Sequence, residues 1–330
     1  MMNDCIAPLQ LIESPWLAKR GVKLHVLRLD QLDNGSGNKW FKLKYNIAEA
    51  KQRGYQSVLS FGGAFSNHIH ALALAARDAG LDSVGIIRGD ASTGLNDTLR
   101  DAERAGMQLK FVSRDEYRRR NDADYLQQLP LEFSNSYIIP EGGSNLLGVK
   151  GCMEIVGHIY YHLGNSYDVV TLPCGTAATM AGIVAGVDGK SNESECTKNN
   201  KDEDADKKTV LGFSVLKNAF SLDDLVEHFL ASLDVTASAN WTINHDCHGG
   251  GYAKVNADLI NFIDEFESQH NIPLEPVYSG KAFYGLYEMI KQGFIKKTRI
   301  VAIHTGGLQG LRGMKDTMHK YRNNTSIDPI

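Results

Sequence analysis

Short β-branched runs and helix-length amphipathic stretches take turns along nearly the whole chain, and this alternation most narrows what the chain can fold into. Strands are predicted over 57–61, 83–88, 107–112, 137–140, 168–173, 209–215 and 298–304. Helices are predicted over 67–79, 95–105, 149–163, 177–187, 222–233, 254–269 and 281–292. Strands separated by helices cannot be joined by tight hairpins, so they pair in parallel, and helices cover both faces of the sheets. The predicted class is α/β, with parallel-rich open twisted sheets, and 330 residues suffice for two lobes with a core each.

One segment breaks the pattern. Residues 189–208 hold no aromatic or large aliphatic side chain and are crowded with Asp, Glu, Lys, Asn and Ser. Such a stretch buries too little apolar surface to offset its ordering entropy, and it is predicted to be a mobile surface insertion. Composition bounds the function classes. A net charge of −4 offers no broad attraction to nucleic acid or acidic membranes, and no apolar run approaches the ~20 residues of a transmembrane helix. Met1 to Cys5 show no basic segment followed by an apolar one, which predicts a cytoplasmic protein without a secretory signal. Five cysteines without CxxC spacing point to reduced thiols. His245, Cys247 and His248 alone hint at a metal, but ligands so close with no second pair read as a polar loop, so no metal is predicted.

Six polar segments carry the chemistry. Lys39 follows the turn Gly35-Ser36-Gly37-Asn38 at the start of a predicted helix. A lysine that attacks an aldehyde must be unprotonated, and the positive end of a helix disfavours its ammonium form. Alone, Lys39 reads more readily as a surface helix lysine, and its weight as a catalytic candidate comes from the other loops. The segment Cys174-Gly175-Thr176-Ala177-Ala178-Thr179 follows a strand and opens a helix. Successive amides there bind phosphate and threonine hydroxyls add donors, although a plain strand–helix turn with a threonine cap looks the same. It lacks the Gly-Lys-Ser/Thr of a Walker loop, and Gly35-Ser36-Gly37 completes no dinucleotide fingerprint. In Gly62-Gly63-Ala64-Phe65-Ser66-Asn67-His68, Asn67 can hydrogen-bond a phenolate oxygen, and Ser66 can contact a carboxylate or relay a proton. Ser66 and Asn67 can equally be helix caps; His68 is carried as a substrate contact, with packing on the helix as its alternative. Tyr278, read at a strand end, can stack on a ring or donate a proton, and Ser279 opens the next helix. Thr305 ends the strand 298–304, and Tyr252 lies in a glycine loop able to cover a site. A lysine, an anion cradle and a pair of short hydroxyls together meet the needs of pyridoxal 5'-phosphate (PLP).

Taken in order from Val22 to Gly310, Gly-Asn-Lys, Gly-Gly-x-x-Ser-Asn, Pro-Val-Tyr-x-Gly-Lys and His-Thr-Gly-Gly resemble the fold-type II PLP enzymes, the tryptophan synthase β-like superfamily. Within it they most resemble the 1-aminocyclopropane-1-carboxylate (ACC) deaminase / D-cysteine desulfhydrase family. The resemblance implies that Lys39 carries PLP, that Asn67 bonds the cofactor's O3′, and that Ser66 serves in substrate binding and proton transfer. It implies a phosphate cradle from Gly175 to Thr179, Tyr278 beside the ring and Tyr252 as a second active-site tyrosine. It also implies a homodimer, with a large domain over 1–45 and 146–330 and a small one over 46–145. The deaminases carry glutamate and leucine where this chain has Ser279 and Thr305, which are similar to the desulfhydrases. A neutral hydroxyl near the pyridine nitrogen leaves it largely unprotonated, which suits β-elimination better than opening a cyclopropane. Ala177 and Ala178 depart from the glycines common in this loop, which puts its backbone geometry in question. The expected reaction is β-elimination of a small amino acid, D-cysteine first, to pyruvate, sulfide and ammonia. ACC deamination, serine dehydration and racemisation are the alternatives on the same fold, and a nucleotide-dependent α/β enzyme is a distant one.

Overall fold

A computed structural model of the chain describes residues 5–32, 35–90, 94–133, 135–195, 207–235 and 239–322, with backbone alone over 188–195. The chain divides into two compact units, Met1–Gly37 with Cys152–Ile330, and Asn38–Gly151. The boundary expected at 45/46 falls inside the helix Asn38–Gln52, which belongs whole to the second unit.

The first unit is built on a six-stranded sheet. Its strands are β1 (Leu9–Ile12), β2 (Lys23–Arg28), β7 (Val169–Cys174), β8 (Thr209–Ser214), β9 (Asn240–Asn244) and β10 (Arg299–His304), in the order β1-β2-β10-β7-β8-β9. Only the edge strand β1 is antiparallel to its neighbour. The second unit holds a parallel sheet of β3 (Ser57–Gly63), β4 (Asp82–Arg88), β5 (Met107–Val112) and β6 (Tyr137–Ile138), ordered β5-β4-β3-β6.

Strand periodicity sends alternate residues to opposite faces, and the second sheet shows it directly. Val58 and Ile87 pack with Ile69, Leu72 and Leu99, whereas Leu59, Phe61 and Ile86 pack with Tyr117 and Leu129. Both faces of the central strands β3 and β4 are buried, so these read as apolar runs, whereas the edge strand β5 alternates apolar and polar residues. In the first unit Leu24, Val26, Phe213, Ile300 and Ala302 of the sheet meet Ile260, Ile263, Phe283 and Leu286 of two covering helices.

Four differences from the sequence reading concern the elements themselves. β1, β2 and β9 went unread because they are short or diluted with polar residues, and β2 lies ahead of the turn at Gly35. The helix beginning at Ala178 runs to Glu195, so the start of the charged stretch is helical, and Lys208 at its end is buried, donating to Asn165 O at 3.0 Å. Residues 196–206 of the expected insertion lie outside the described residues. Tyr278 stands at no strand end; it immediately precedes the helix Ser279–Lys291. Among the described residues, no helix is long and apolar enough to cross a membrane.

Candidate active site

In the second unit, Lys39 is the second residue of its helix and its Nζ donates to Asn38 Oδ1 at 2.9 Å. Ser66 caps the helix Asn67–Ala79, its Oγ accepting from Ile69 N at 3.2 Å, so the capping role is real. A hydroxyl that accepts in this way still has its own hydrogen to donate. The turn before it is tight: a Cβ on Gly62 would lie 2.6 Å from Ser66 Oγ and 2.5 Å from Ile69 Cγ1. His68 is buried at 3% exposure, with Nε2 2.8 Å from Ser60 Oγ and no hydrogen-bond partner for Nδ1. Burial first, then the charges of Lys39 and Lys42, push its pKa down to about 3. The ring is therefore neutral, and because Ser60 Oγ donates onward to Pro140 O at 3.4 Å, Nε2 is the protonated nitrogen and Nδ1 a bare acceptor.

In the first unit, β7 ends at Cys174 and the helix beginning at Ala178 follows three residues later. The first-turn amides of such a helix have no intrahelical acceptor, and Thr176 and Thr179 bring hydroxyls to them. Ala177 and Ala178 are fully buried and neither has a positive φ, so this loop holds its shape without glycine at those positions. Gly175 is different, for a Cβ there would lie 2.7 Å from Tyr278 Cε1. The ring of Tyr278 thus rests on the loop, and the edge of Tyr252 meets it with centroids 6.0 Å apart at 75°.

Behind Tyr278 stands a residue that sequence reasoning missed. Glu275, buried at 2% exposure, accepts from Val277 N, Tyr278 N and Ser279 N at 2.8, 2.7 and 2.6 Å. It caps the helix from four residues upstream. Burial raises its carboxyl pKa, and these same hydrogen bonds work against that rise. Ser279 Oγ turns back to Glu275, accepting from its amide at 3.0 Å and lying 3.2 Å from Oε1. Its hydroxyl is engaged within the chain rather than presented freely to a ring.

Thr305 follows β10, buried, ahead of Gly306 and Gly307 with φ of 79° and 86°. Gly37 packs against this turn so closely that a Cβ would fall 2.2 Å from Thr305 O. Beneath it, His304 Nε2 donates to Pro273 O at 2.7 Å and Nδ1 accepts from Gly306 N at 3.2 Å. Full burial lowers the His304 pKa, with Asp30 and the bond to Pro273 working against that shift, and since Nδ1 is used as an acceptor from Gly306 N, the nearby Asp30 takes its hydrogen bonds from Arg28 instead, at 2.7 Å. The histidines and the cysteine of the loop 245–248 have other neighbours in the chain. His245 pairs with Asp223 at 2.6 Å and His248 Nδ1 accepts from Gly250 N, while Cys247 lies against Gly285. Among the described residues no group of three or more acidic, histidine or cysteine side chains is placed to hold a metal.

The residues fit PLP. A phosphate needs amide and hydroxyl donors with no fixed anion beside them, and the loop 175–179 carries two threonines and no acid. Gly175 leaves open the place that a side chain would dispute with Tyr278.

Comparison with known proteins agrees. The profile of the family "Pyridoxal-phosphate dependent enzyme" matches residues 2–306. A bifunctional D-cysteine desulfhydrase/1-aminocyclopropane-1-carboxylate deaminase of Arabidopsis thaliana is 31% identical over 308 residues, covering 88% of this chain and 73% of that protein. A Thermotoga maritima protein provisionally named a 1-aminocyclopropane-1-carboxylate deaminase is 31% identical over 302 residues, covering 89% and 91%. The crystal structure of an ACC deaminase homologue superposes with a TM-score of 0.81 at 25% identity, covering 97% of this chain and 95% of that one. With this profile, these relatives and this fold, the chain belongs to the fold-type II PLP-dependent enzymes, as a lyase of the ACC deaminase / D-cysteine desulfhydrase family.

Proposed function

We propose that this lyase releases ammonia and a 2-oxo acid from D-cysteine and from ACC, with D-cysteine the better substrate. The pair of activities follows the name of the Arabidopsis relative. The Thermotoga and crystallographic relatives favour ACC by their names, and they are the support for that half of the reading. The preference rests on one observation: position 279 is a serine whose hydroxyl is bound to Glu275, so no carboxylate side chain is supplied at that position to protonate a pyridine nitrogen.

Lys39 would hold the cofactor through its Nζ, the loop 175–179 its phosphate, Asn67 its phenolate oxygen, and Thr305 its ring nitrogen, with Ser279, turned to Glu275, only lining that end of the ring. Bound PLP supplies an electron sink for the bonds at the substrate's Cα. On D-cysteine, Lys39 Nζ would take the Cα proton, with the hydroxyls of Ser66 and Tyr278 as the other candidates for that transfer; ACC has no hydrogen on Cα, and there a base would act on a ring methylene instead. Ser66 would donate its hydroxyl hydrogen to the substrate carboxylate, with His68 as the other candidate contact. Tyr252 and Tyr278 flank the side chain that leaves. For D-cysteine, the Cα proton and the β-thiol are lost and water completes the products, pyruvate, sulfide and ammonia. For ACC, addition of water yields 2-oxobutanoate and ammonia, with nothing expelled from the ring.

Parallel assays of ammonia, sulfide and the two oxo acids test this. The expected result is turnover of both substrates with the larger kcat/KM for D-cysteine. Turnover of ACC alone would overturn the argument from Ser279, and turnover of neither would overturn the substrate class. Lys39→Ala is expected to abolish the visible absorbance of covalently held PLP; retention of that band through another lysine would remove Lys39 from its role.

A further inference from the structure

Lys281 is a cation in an unexpected place. It lies in the first turn of the helix Ser279–Lys291, where the helix dipole disfavours positive charge, and it is 1% exposed. A methionine would fill the same volume without the desolvation penalty. The buried carboxylate of Glu275 at the start of the same helix favours its charge, and the geometry shows what else engages the amine. Nζ donates to the carbonyl of Gly251 at 2.7 Å, thirty residues back along the chain.

That carbonyl is the pivot of a small turn. Gly251 O also accepts from Lys254 N at 3.1 Å, while Gly251 N donates to His248 O at 3.1 Å and Gly250 N to His248 Nδ1 at 2.9 Å. Gly249, Gly250 and Gly251 have φ of 61°, 95° and 123°, values open to glycine and costly for other residues. A run of three glycines keeps no fixed shape by itself, so outside contacts must define it. Its upstream end is tied by His245 to Asp223 and by Cys247 against Gly285; its downstream end is tied by Lys281. The next residue is Tyr252, edge-on to Tyr278.

We propose that Lys281 is a positioning residue, holding Gly251 O so that Tyr252 is set beside Tyr278. This rests on the reading of Tyr252 as an active-site tyrosine. The helix that carries Lys281 begins at Tyr278 and is capped by Glu275, so one rigid element places one tyrosine directly and the other through the lysine. A charge-assisted hydrogen bond to a buried carbonyl is strong enough for this work.

The test compares the PLP-loaded wild type with Lys281→Met by amide hydrogen exchange and kinetics. Loss of the anchor is expected to speed exchange over residues 248–254 by about ten-fold, the factor expected for losing one charge-assisted hydrogen bond, with the helix 279–291 unchanged. In kinetics, Lys281→Met is expected to lower kcat/KM in wild type and to add nothing in a Tyr252→Phe background. Unchanged exchange at 248–254, or fully additive kinetic losses, would overturn the proposal. If neither D-cysteine nor ACC is turned over, the substrate reading fails, and the exchange comparison still decides the role of Lys281. Lys281→Leu, which likewise cannot donate, replaces the methionine variant if that protein does not fold.

Discussion

Adding one methyl group at Gly37 should damage this enzyme out of proportion to its size. Gly37 has a φ of 53°, and a Cβ there would stand 2.2 Å from Thr305 O and 2.8 Å from Gly306 Cα. Ordinary contact begins near 3.4 Å, so about 1.2 Å must open, and both neighbours are backbone that cannot rotate aside. The left-handed conformation costs alanine about 1–2 kcal/mol. Overpacking adds about 1–3 kcal/mol more. Gly35 is the control: its φ is 61°, yet nothing lies within 4 Å of its Cβ direction. Gly35→Ala should lower the melting temperature by about 4 °C and Gly37→Ala by about 10 °C. The functional gap should be wider. Lys39 is two residues from Gly37, and Thr305 is the proposed ring contact, so a shift of about 1 Å moves one or both and should cost about a hundred-fold in kcat/KM. Melting curves, the PLP absorbance band and turnover of both substrates read the effect. If Gly37→Ala behaves like Gly35→Ala in all three, the close approach of Gly37 to the Thr305 turn does not govern the site.

Two further results are expected. Gly175→Ala, whose Cβ would meet Tyr278 Cε1 at 2.7 Å, should weaken PLP binding about ten-fold or more in a spectroscopic titration, and a Tyr278→Ala partner mutation should recover part of the loss; equal PLP affinities would refute the contact. His68 should make the fold sensitive to acid. Its pKa is about 3 when folded against 6.5 otherwise, so between those values the unfolded chain holds more protons. Stability from this group is complete above pH 6.5 and declines as pH falls toward 3, by about 2 kcal/mol near pH 5. The urea midpoint should therefore fall more between pH 7 and pH 5 in wild type than in His68→Asn, and parallel declines would show that His68 titrates normally.

The architecture was legible where burial made the strands apolar, and illegible where strands carry polar residues. β3, β4, β7, β8 and β10 are largely buried on both faces and announce themselves, while the edge strand β5 is read from its alternation of apolar and polar residues. β2 is interrupted by Lys23, His25 and Arg28, although Leu24, Val26 and Leu27 are fully buried; the parallel pairing with β10 makes it a strand. Tyr278 looked like part of a strand because Pro276-Val277-Tyr278 has strand composition. What turns it into a helix start is the carboxylate of Glu275, which takes three consecutive amides that a strand would have needed for its ladder.

The same division runs through the site. The loops proposed to meet the cofactor and substrate follow the carboxyl ends of β3, β7 and β10, the positions where open α/β sheets present binding residues, and each is a local motif that a sequence displays. The groups that hold those loops in place are not local. Lys281 meets Gly251 thirty residues away, and Arg28, braced by Gln10 at 2.9 Å, balances an Asp30 that lies beneath the Thr305 turn. As isolated letters these are surface charges; only the assembled unit makes them buried. Burying a charge is costly, and an apolar side chain of similar size would usually serve stability as well. Their retention in the first unit is thus better explained by the geometry they impose on Tyr252 and Thr305 than by any stability they add, since a donor or a carboxylate fixes a backbone atom in direction as well as distance, which apolar packing does not.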